Sequence, residues 1–148
     1  MERARFPVTA HILLLKGDSI LMLRRFNTGY EDGKYSVVAG HLDGDETVIA
    51  AAVREIEEEV GVKVNPENID VVGVMHRKSD DERVDFFLAS RNWCGEPVNQ
   101  EHDKCDDIGW YAFDMLPVNT IPYVKKAIDN YKQGVWFDEY GWEMKSNL

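Results

Sequence analysis

The feature that most limits how this chain can fold is the segment 40–62, which reads GHLDGDETVIAAAVREIEEEVGV. Its apolar residues recur at steps of four, three and four, which is the period of one helix face. They are Ile49, Val53, Ile56 and Val60. The pattern predicts an amphipathic helix over about 47–60 that packs its apolar face on a core. Gly61 follows directly and favours a left-handed end to that helix.

The opposite face of the same helix is acidic. Glu55, Glu58 and Glu59 stand at i, i+3 and i+4, so their carboxylates converge within an arc of about 100°. Like charges at these spacings destabilise a helix by a few tenths of a kcal/mol per pair, roughly, unless something compensates them. Arg54 lies beside them and can pair with one. Two interpretations follow: a solvated acidic face, or a site for a hard divalent cation such as Mg²⁺.

The spacing of segment 40–62 resembles the Nudix box, the signature of the Nudix hydrolase superfamily. That motif is Gly, five residues, Glu, seven residues, then Arg-Glu-aliphatic-x-Glu-Glu-x-Gly-aliphatic. Every specified position is filled here, by Gly40, Glu46, Arg54, Glu55, Ile56, Glu58, Glu59, Gly61 and Val62. The resemblance implies an α/β fold, the Nudix α/β/α sandwich, in which a mixed β-sheet lies between helices. A single domain over 1–148 is expected.

The rest of the chain supplies elements for such a sheet. A β-hairpin is predicted from two strand-like segments, Val8–Lys16 and 20–25. Further strands are predicted over 35–39, 69–77, 83–91 and 108–113, and a polar loop over 95–107. A second helix is predicted from about Pro122 to Gln133, with Gly134 as its stop. The aromatic residues that follow have three possible roles: to cap the core, to close a pocket or to form a dimer contact. They are Trp136, Phe137, Tyr140 and Trp142.

Length, charge and cysteine content exclude several classes of protein. A chain of 148 residues with 44% hydrophobic residues suits one domain with a real core. The apolar runs, such as 12–15 and 48–53, are far too short to span a bilayer, so no membrane partner is expected. Two cysteines are too few for a secreted disulfide scaffold, which favours a cytoplasmic setting. A net charge of −10 argues against nucleic-acid polymers as partners. A monomer and a homodimer are both compatible with the sequence.

The resemblance implies hydrolysis of a nucleoside diphosphate linked to another group, with Mg²⁺ as cofactor and Mn²⁺ as a substitute. Glu58 and Glu59 match the principal metal ligands of the family, and the backbone carbonyl of Gly40 is a frequent further ligand. Glu55 matches a position that binds metal in some members and is the general base in others. Arg54 matches the catalytic-site residue that orients these glutamates.

The resemblance also implies roles for two further acids. Glu46 often supports the Arg54 network. Glu101 lies in the stretch 99–105, NQEHDKC, which resembles an Asn-x-Glu-Pro-x-Lys-Cys stretch from a branch that hydrolyses nucleoside triphosphates. The match departs at His102, where that branch has proline. Glu101 is expected to be the extra metal-linked or catalytic acid, with Asp103 as its rival; the alternative is that both are solvated loop charges.

Substrate contacts are expected at the end of the second strand and beside it. Arg24 and Arg25 close a strand that runs beside the phosphates in this family, and alternation is expected to turn one of them into the cleft. Lys34 is a similar cationic candidate. Tyr35 and Trp110 are candidates for the wall against which a base packs.

Further residues that could form this wall lie on other predicted strands. Phe87 and the strand residues Thr9 to His11 are further candidates for that wall, although most aromatic side chains are expected in the core. His11 itself lies among apolar residues and is expected to be a hydrogen-bonded core histidine rather than a ligand.

Three functions are compatible with these residues. The favoured one is a Mg²⁺-dependent pyrophosphohydrolase that cleaves a nucleoside triphosphate, oxidised or otherwise non-standard forms included, to monophosphate and pyrophosphate. The second is a pyrophosphatase for a nucleotide sugar or dinucleotide; because the first core strand begins by about Val8, little room is left for the extra N-terminal region of many such dimers. The third is a catalytically silent nucleotide sensor, which the intact set Glu55, Glu58 and Glu59 disfavours.

Overall fold

The structure, a computed structural model, describes residues 1–142. Within this range the chain forms eight strands and two helices. The strands are β1 (Val8–Lys16), β2 (Ser19–Arg25), β3 (Tyr35–Ser36), β4 (Val38–His41), β5 (Asp70–Lys78), β6 (Glu82–Ser90), β7 (Cys105–Ala112) and β8 (Phe137–Tyr140). The helices are α1 (Val48–Val60) and α2 (Pro122–Gln133). The domain expected over 1–148 runs beyond the described residues at 143–148.

The strands form one mixed sheet. Its main path is β3–β2–β1–β6–β5–β8, while β4 is added to β1 and β7 is added to β2. β1 runs antiparallel to β4 and parallel to β6. β1 pairs with β2 only at its last residues, Leu15 and Lys16, whereas 9–12 pair with β4. β2 and β4 therefore take different halves of the same edge of β1.

The two helices cover opposite faces of this sheet, because alternate residues of β1 point to opposite sides. Ile12 packs in one hydrophobic cluster with Ile56 of α1. Leu13 packs in a second cluster with Ile128 of α2. The expected α/β fold class, with a mixed sheet between helices, is confirmed, and α2 spans the predicted range. Neither of the helices in residues 1–142 has the length and apolarity needed to cross a bilayer.

α1 forms as the pattern of segment 40–62 predicts. Thr47 is its N-cap, since the Thr47 hydroxyl accepts a hydrogen bond from the backbone N–H of Ala50 at 3.0 Å. Gly61 ends the helix in the left-handed region, at φ 75°. Ile56 on the apolar face is fully buried, while the side chain of Glu58 on the other face is half exposed. The helix is thus anchored by one face and keeps its acidic side open.

Two strand boundaries differ from the sequence-based expectation. The strand predicted over 35–39 is in fact two strands, because β3 pairs with β2 and the chain then changes partner, so that β4 pairs with β1. The loop predicted over 95–107 is shorter, because β7 begins at Cys105 rather than at Ile108. Pairing with β2 extends β7 through these polar residues.

β8 has no counterpart in the sequence-based prediction. It adds to β5 in parallel, with Phe137 opposite Val74, and so extends the sheet at its end. Trp142 follows it and donates its indole N–H to the carbonyl of His76 at 2.9 Å. Of the three roles left open for the aromatic residues 136–142, capping the core is the one that a described contact supports, because Tyr140 packs against the buried cluster of Met75 and Phe87. Trp136 itself remains 69% exposed.

Candidate active site

A cleft of about 620 Å³ opens where β2 and β4 take different halves of β1. This volume lies within the range of roughly 300–1,000 Å³ that is usual for small-molecule sites. Its walls come from the end of β2, from β4, from α1 and from the loop before β7. Four glutamates line it, namely Glu55, Glu58, Glu59 and Glu101. Asp103, the rival of Glu101, does not line the cleft.

Arg54 joins the acidic side chains to one another. Its Nε and Nη2 donate to the two carboxylate oxygens of Glu46, at 3.2 and 2.7 Å. Its Nη1 donates to Glu55 at 3.0 Å and lies 3.5 Å from Glu58, and its Nη2 also donates to the carbonyl of His41 at 3.3 Å. The paired guanidinium lowers the pKa of Glu46. An orienting role for Arg54 requires this geometry, with Glu46 holding the guanidinium in place. Both roles stay predictions.

Glu55 and Glu59 are carboxylates held partly out of water. Burial raises the pKa of Glu55, although the Arg54 guanidinium opposes the change. Burial also raises the pKa of Glu59 well above its usual range, and the neighbouring carboxylates of Glu55 and Glu101 add to this. The backbone N–H of Ala39 donates to Glu59 at 3.4 Å and acts in the opposite direction. A cation among these groups would favour their ionised forms.

Gly40 brings the backbone of β4 directly against Glu55. A Cβ atom on Gly40 would lie 2.0 Å from Oε2 of Glu55, so any side chain there would displace the Glu55 carboxylate. The acidic face of α1 therefore lies against main chain rather than against a neighbouring side chain, which is the close approach that glycine permits.

The donor set of the cleft fits a hard divalent cation, because it consists of carboxylate oxygens beside exposed main chain. In the conformation of residues 1–142, no three acidic, histidine or cysteine side chains yet converge as ligands on one point. Glu58, which is half exposed, leans toward Arg54 instead. A metal site at this face would require the Glu58 carboxylate to turn away from Arg54.

Arg24 and Arg25 both line the cleft, whereas alternation predicts only one. The register between β2 and β7 shifts between these two residues, and such an irregularity interrupts the alternation of side chains. Nε of Arg24 donates to Asp106 at 2.7 Å, and Nε of Arg25 donates to the carbonyl of Tyr30 at 2.7 Å. The expectation that only one of the pair faces the cleft is corrected.

The three remaining substrate candidates lie outside the lining of the cleft. The ammonium group of Lys34 pairs with Glu31 at 2.7 Å. Tyr35 is buried, and its hydroxyl donates to Asp107. Trp110 packs against the hydrophobic cluster that joins β1 to α1. Their expected placement at the cleft is corrected, since each side chain already has a partner within the fold.

The cleft contains residues that the sequence alone does not single out. Lys104 lines it and has no carboxylate partner among residues 1–142; its only sequence signal is its place in the stretch 99–105. Tyr123, from α2, and Arg83, from β6, also line it. No local pattern identifies these two, because tertiary packing alone brings them to the cleft.

His11 is the core histidine that the sequence predicts, and it also reaches the wall of the cleft. It is 2% exposed, and its Nε2 lies 3.0 Å from the hydroxyl of Tyr123. Nδ1 has no hydrogen-bond partner within the described part of the chain. Burial lowers the pKa of His11 to about 4, so the ring is neutral at neutral pH.

Mild acid is expected to destabilise the fold through His11. The pKa falls from 6.5 to about 4 on folding, so below pH 6.5 the unfolded chain binds a proton that the folded chain excludes. The free energy of unfolding should therefore drop as pH falls, by about 2 kcal/mol at pH 5. Urea unfolding at pH 7 and pH 5 measures this, with His11→Gln as the non-titrating control. Equal losses in both proteins would contradict the prediction.

The fold and the acidic cleft together define a hydrolase of the Nudix type. Residues 5–132 match the family described as the NUDIX domain. This match covers most of the chain, and the chain belongs to the Nudix family.

Several relatives carry the name NAD-capped RNA hydrolase NudC. The protein from Pseudomonas aeruginosa is 34% identical over 106 residues, which cover 72% of this chain and 36% of the relative. The protein from Vibrio atlanticus is 27% identical over 123 residues, which cover 80% of this chain and 43% of the relative. This chain thus spans less than half the length of these curated relatives.

Solved structures agree on the fold. A MutT NUDIX hydrolase from Burkholderia pseudomallei superposes with a TM-score of 0.78 at 25% identity, over 85% of this chain and 98% of that one. A bifunctional NMN adenylyltransferase/ADP ribose pyrophosphatase from Francisella tularensis gives a TM-score of 0.65 at 19% identity, over 88% and 42% of the two chains. Both solved structures share the fold that the family match indicates.

Proposed function

We propose that this chain cleaves the pyrophosphate linkage of a nucleoside triphosphate, oxidised and other non-standard forms included, with Mg²⁺ as cofactor. The products are the monophosphate and pyrophosphate. One observation carries the proposal: four glutamates share a cleft with Arg25 and Lys104, two cations that have no carboxylate partner among residues 1–142. Phosphates need cationic partners and the acids need a counter-charge, so a metal–polyphosphate complex satisfies both sets.

Glu58, Glu59 and the backbone carbonyl of Gly40 are the groups that would hold Mg²⁺, or Mn²⁺ in its place, with Glu55 and Glu101 beside them. Such a cation neutralises phosphate charge and makes bound water easier to deprotonate. The raised pKa values of Glu55 and Glu59 support this assignment. They reflect burial and repulsion between neighbouring carboxylates, and a bound cation would offset that repulsion.

The chain's own side chains supply positioning and proton transfer. Glu55, whose pKa burial raises, is suited to accept the proton of the attacking water. Arg54 holds that carboxylate through its Nη1 contact at 3.0 Å. Arg25 and Lys104, which line the same cleft, compensate the charge of the phosphate oxygens. Glu101 is the second candidate for the general base.

A dinucleotide of the NAD type is a second candidate substrate. The observation in its favour is the name NAD-capped RNA hydrolase, borne by relatives up to 34% identical over the matched region. A free dinucleotide and a capped RNA end present the same pyrophosphate linkage. The net charge of −10 favours the small molecule over the polymer.

A substrate screen in ¹⁸O-labelled water tests the proposal. The protein with Mg²⁺ is incubated with nucleoside triphosphates, oxidised triphosphates, a nucleotide sugar, NAD and NAD-capped RNA, and the products are identified by mass. We expect monophosphate and pyrophosphate from a triphosphate, with no release in EDTA or with the Glu58→Gln protein. The labelled product identifies the phosphorus that is attacked. Cleavage of NAD or capped RNA without cleavage of any triphosphate would replace the first candidate by the second.

A further inference from the structure

Asn99 closes the loop that carries Glu101. Its Oδ1 accepts from the backbone N–H of Glu101 at 2.9 Å, and its Nδ2 donates to the carbonyl of Cys105 at 2.6 Å. One side-chain amide therefore joins both ends of the turn 101–105. Within this turn, the carbonyl of Glu101 accepts from the N–H groups of Lys104 and Cys105, each at 2.9 Å. The main chain on both sides of Glu101 is fixed by these bonds.

The same loop is attached to the end of α1. The N–H of Val98 donates to the carbonyl of Val60 at 2.9 Å, and the N–H of Gln100 donates to the carbonyl of Glu59 at 3.0 Å. The last carbonyls of a helix have no intrahelical partner, so the loop satisfies them. Glu101 comes one residue after the bond to Glu59, and this attachment explains how a loop acid reaches the acidic face of α1.

Gly61 makes room for this attachment. A Cβ atom on Gly61 would lie 2.9 Å from Nε2 of Gln100, and the backbone at Gly61 is left-handed. The glycine that ends α1 thus also lets the loop pass close to it. Asn99 itself does not line the cleft, so any influence it has on the site acts through a neighbour.

We propose that Asn99 is a positioning residue, which holds the Glu101 carboxylate in the cleft through the two hydrogen bonds of its amide. The inference deepens the proposed function and rests on it, since it requires Glu101 to act on the bound cation. Groups that orient a metal ligand without touching the metal commonly contribute about 10–100-fold to metal affinity or activity.

A double-mutant cycle tests the proposal with Mn²⁺ as the probe. Mn²⁺ affinity is measured from the paramagnetic resonance of the free ion, and turnover is measured in parallel, for the wild type, Asn99→Ala, Glu101→Gln and the double variant. We expect Asn99→Ala to weaken Mn²⁺ binding about 10-fold. Because Asn99 acts through Glu101, the double variant should bind Mn²⁺ no more weakly than Glu101→Gln alone.

Two control variants separate positioning from general disturbance of the loop. Asn99→Ser keeps an oxygen that can accept from the Glu101 N–H, and it should recover most of the lost affinity. Asp103→Asn removes an exposed acid of the same loop that lies outside the cleft, and it should bind Mn²⁺ like the wild type. Thermal unfolding of each variant confirms that the fold persists.

The outcomes distinguish this inference from the function on which it rests. Wild-type affinity in Asn99→Ala, or an undiminished effect of Asn99→Ala in the Glu101→Gln background, would overturn the positioning role alone. The same role falls if Glu101→Gln is silent while Glu58→Gln is impaired, and the proposed function then stands without Glu101. A wild-type protein that neither binds Mn²⁺ nor cleaves any substrate would overturn both.

Discussion

Replacing Glu59 by Gln is expected to remove most of the turnover while making the metal-free fold more stable. Glu59 is the carboxylate whose pKa burial raises furthest, and Glu55 and Glu101 add repulsion to that burial. A neutral amide of the same shape removes both penalties, so the free energy of unfolding should rise. The same change removes a ligand charge, so kcat should fall about 10²-fold or more.

The two effects are measured separately. Steady-state turnover with saturating Mg²⁺ gives the loss of activity, and urea unfolding in EDTA gives the gain in stability. Glu57→Gln is the matched control, because Glu57 is an exposed acid on the same helix that pairs with Lys63 outside the cleft. It should leave turnover unchanged. Near-wild-type turnover in Glu59→Gln would contradict the assigned role of this acid.

Added Mg²⁺ should reverse the order of stability of the two proteins, so that the wild type becomes more stable than Glu59→Gln. A cation that binds the folded protein and not the unfolded chain stabilises the fold in proportion to its affinity. The wild type should therefore gain more in melting temperature from added Mg²⁺ than Glu59→Gln does. An equal gain in the two proteins would show that Glu59 is not among the groups that hold the cation.

The acidic half of the site could be predicted from the sequence because the pattern that identifies it lies within one short segment. Helix periodicity, the N-cap Thr47 and the stop at Gly61 all lie within one segment, and together they define which side chains share a face. The carboxylates of Glu55, Glu58 and Glu59 follow directly from that face. Arg54 contacts Glu46, which lies eight residues earlier in the chain, so this contact also falls within the one local segment.

Several features of the sheet and of the opposite wall of the cleft could not be predicted, because they depend on contacts between distant segments. Tyr123 meets His11 only when α2 packs on the sheet. The register shift at Arg24 and Arg25 arises from pairing with β7, and β8 forms because β5 offers an open edge. Each of these features is tertiary, and tertiary packing overrides the alternation and composition on which a sequence-based prediction relies.

The placement of Glu101 is an intermediate case. The stretch 99–105 points to an acid of interest, yet nothing local decides between Glu101 and Asp103. The decision comes from backbone bonds to the last carbonyls of α1, which direct Glu101 toward the cleft and leave Asp103 exposed. The sequence thus identifies Glu101 and Asp103 as candidates, and contacts with the end of α1 place only Glu101 at the cleft.

Replacing Gly40 by Ala is expected to lower kcat about 10²-fold with little change in stability. The new Cβ atom would lie 2.0 Å from Oε2 of Glu55, so the carboxylate has to move away. The backbone at Gly40 is not in the left-handed region, and the clash is with the end of a flexible side chain. The free energy of unfolding should therefore change by less than about 1 kcal/mol. The loss of activity follows because misplacement of a reacting group by about 1 Å costs roughly this factor.

Gly73→Ala is the matched control, since Gly73 lies in β5, away from the cleft, where a Cβ meets no atom closer than 3.5 Å. It should leave turnover unchanged. The mechanism is tested in the Glu55→Gln background, where Gly40→Ala should add little, because the group that it displaces is already disabled. An additional full loss in that background would mean that the glycine acts through its own main chain. Full activity in Gly40→Ala alone would show that the position of Glu55 against β4 is not required for catalysis.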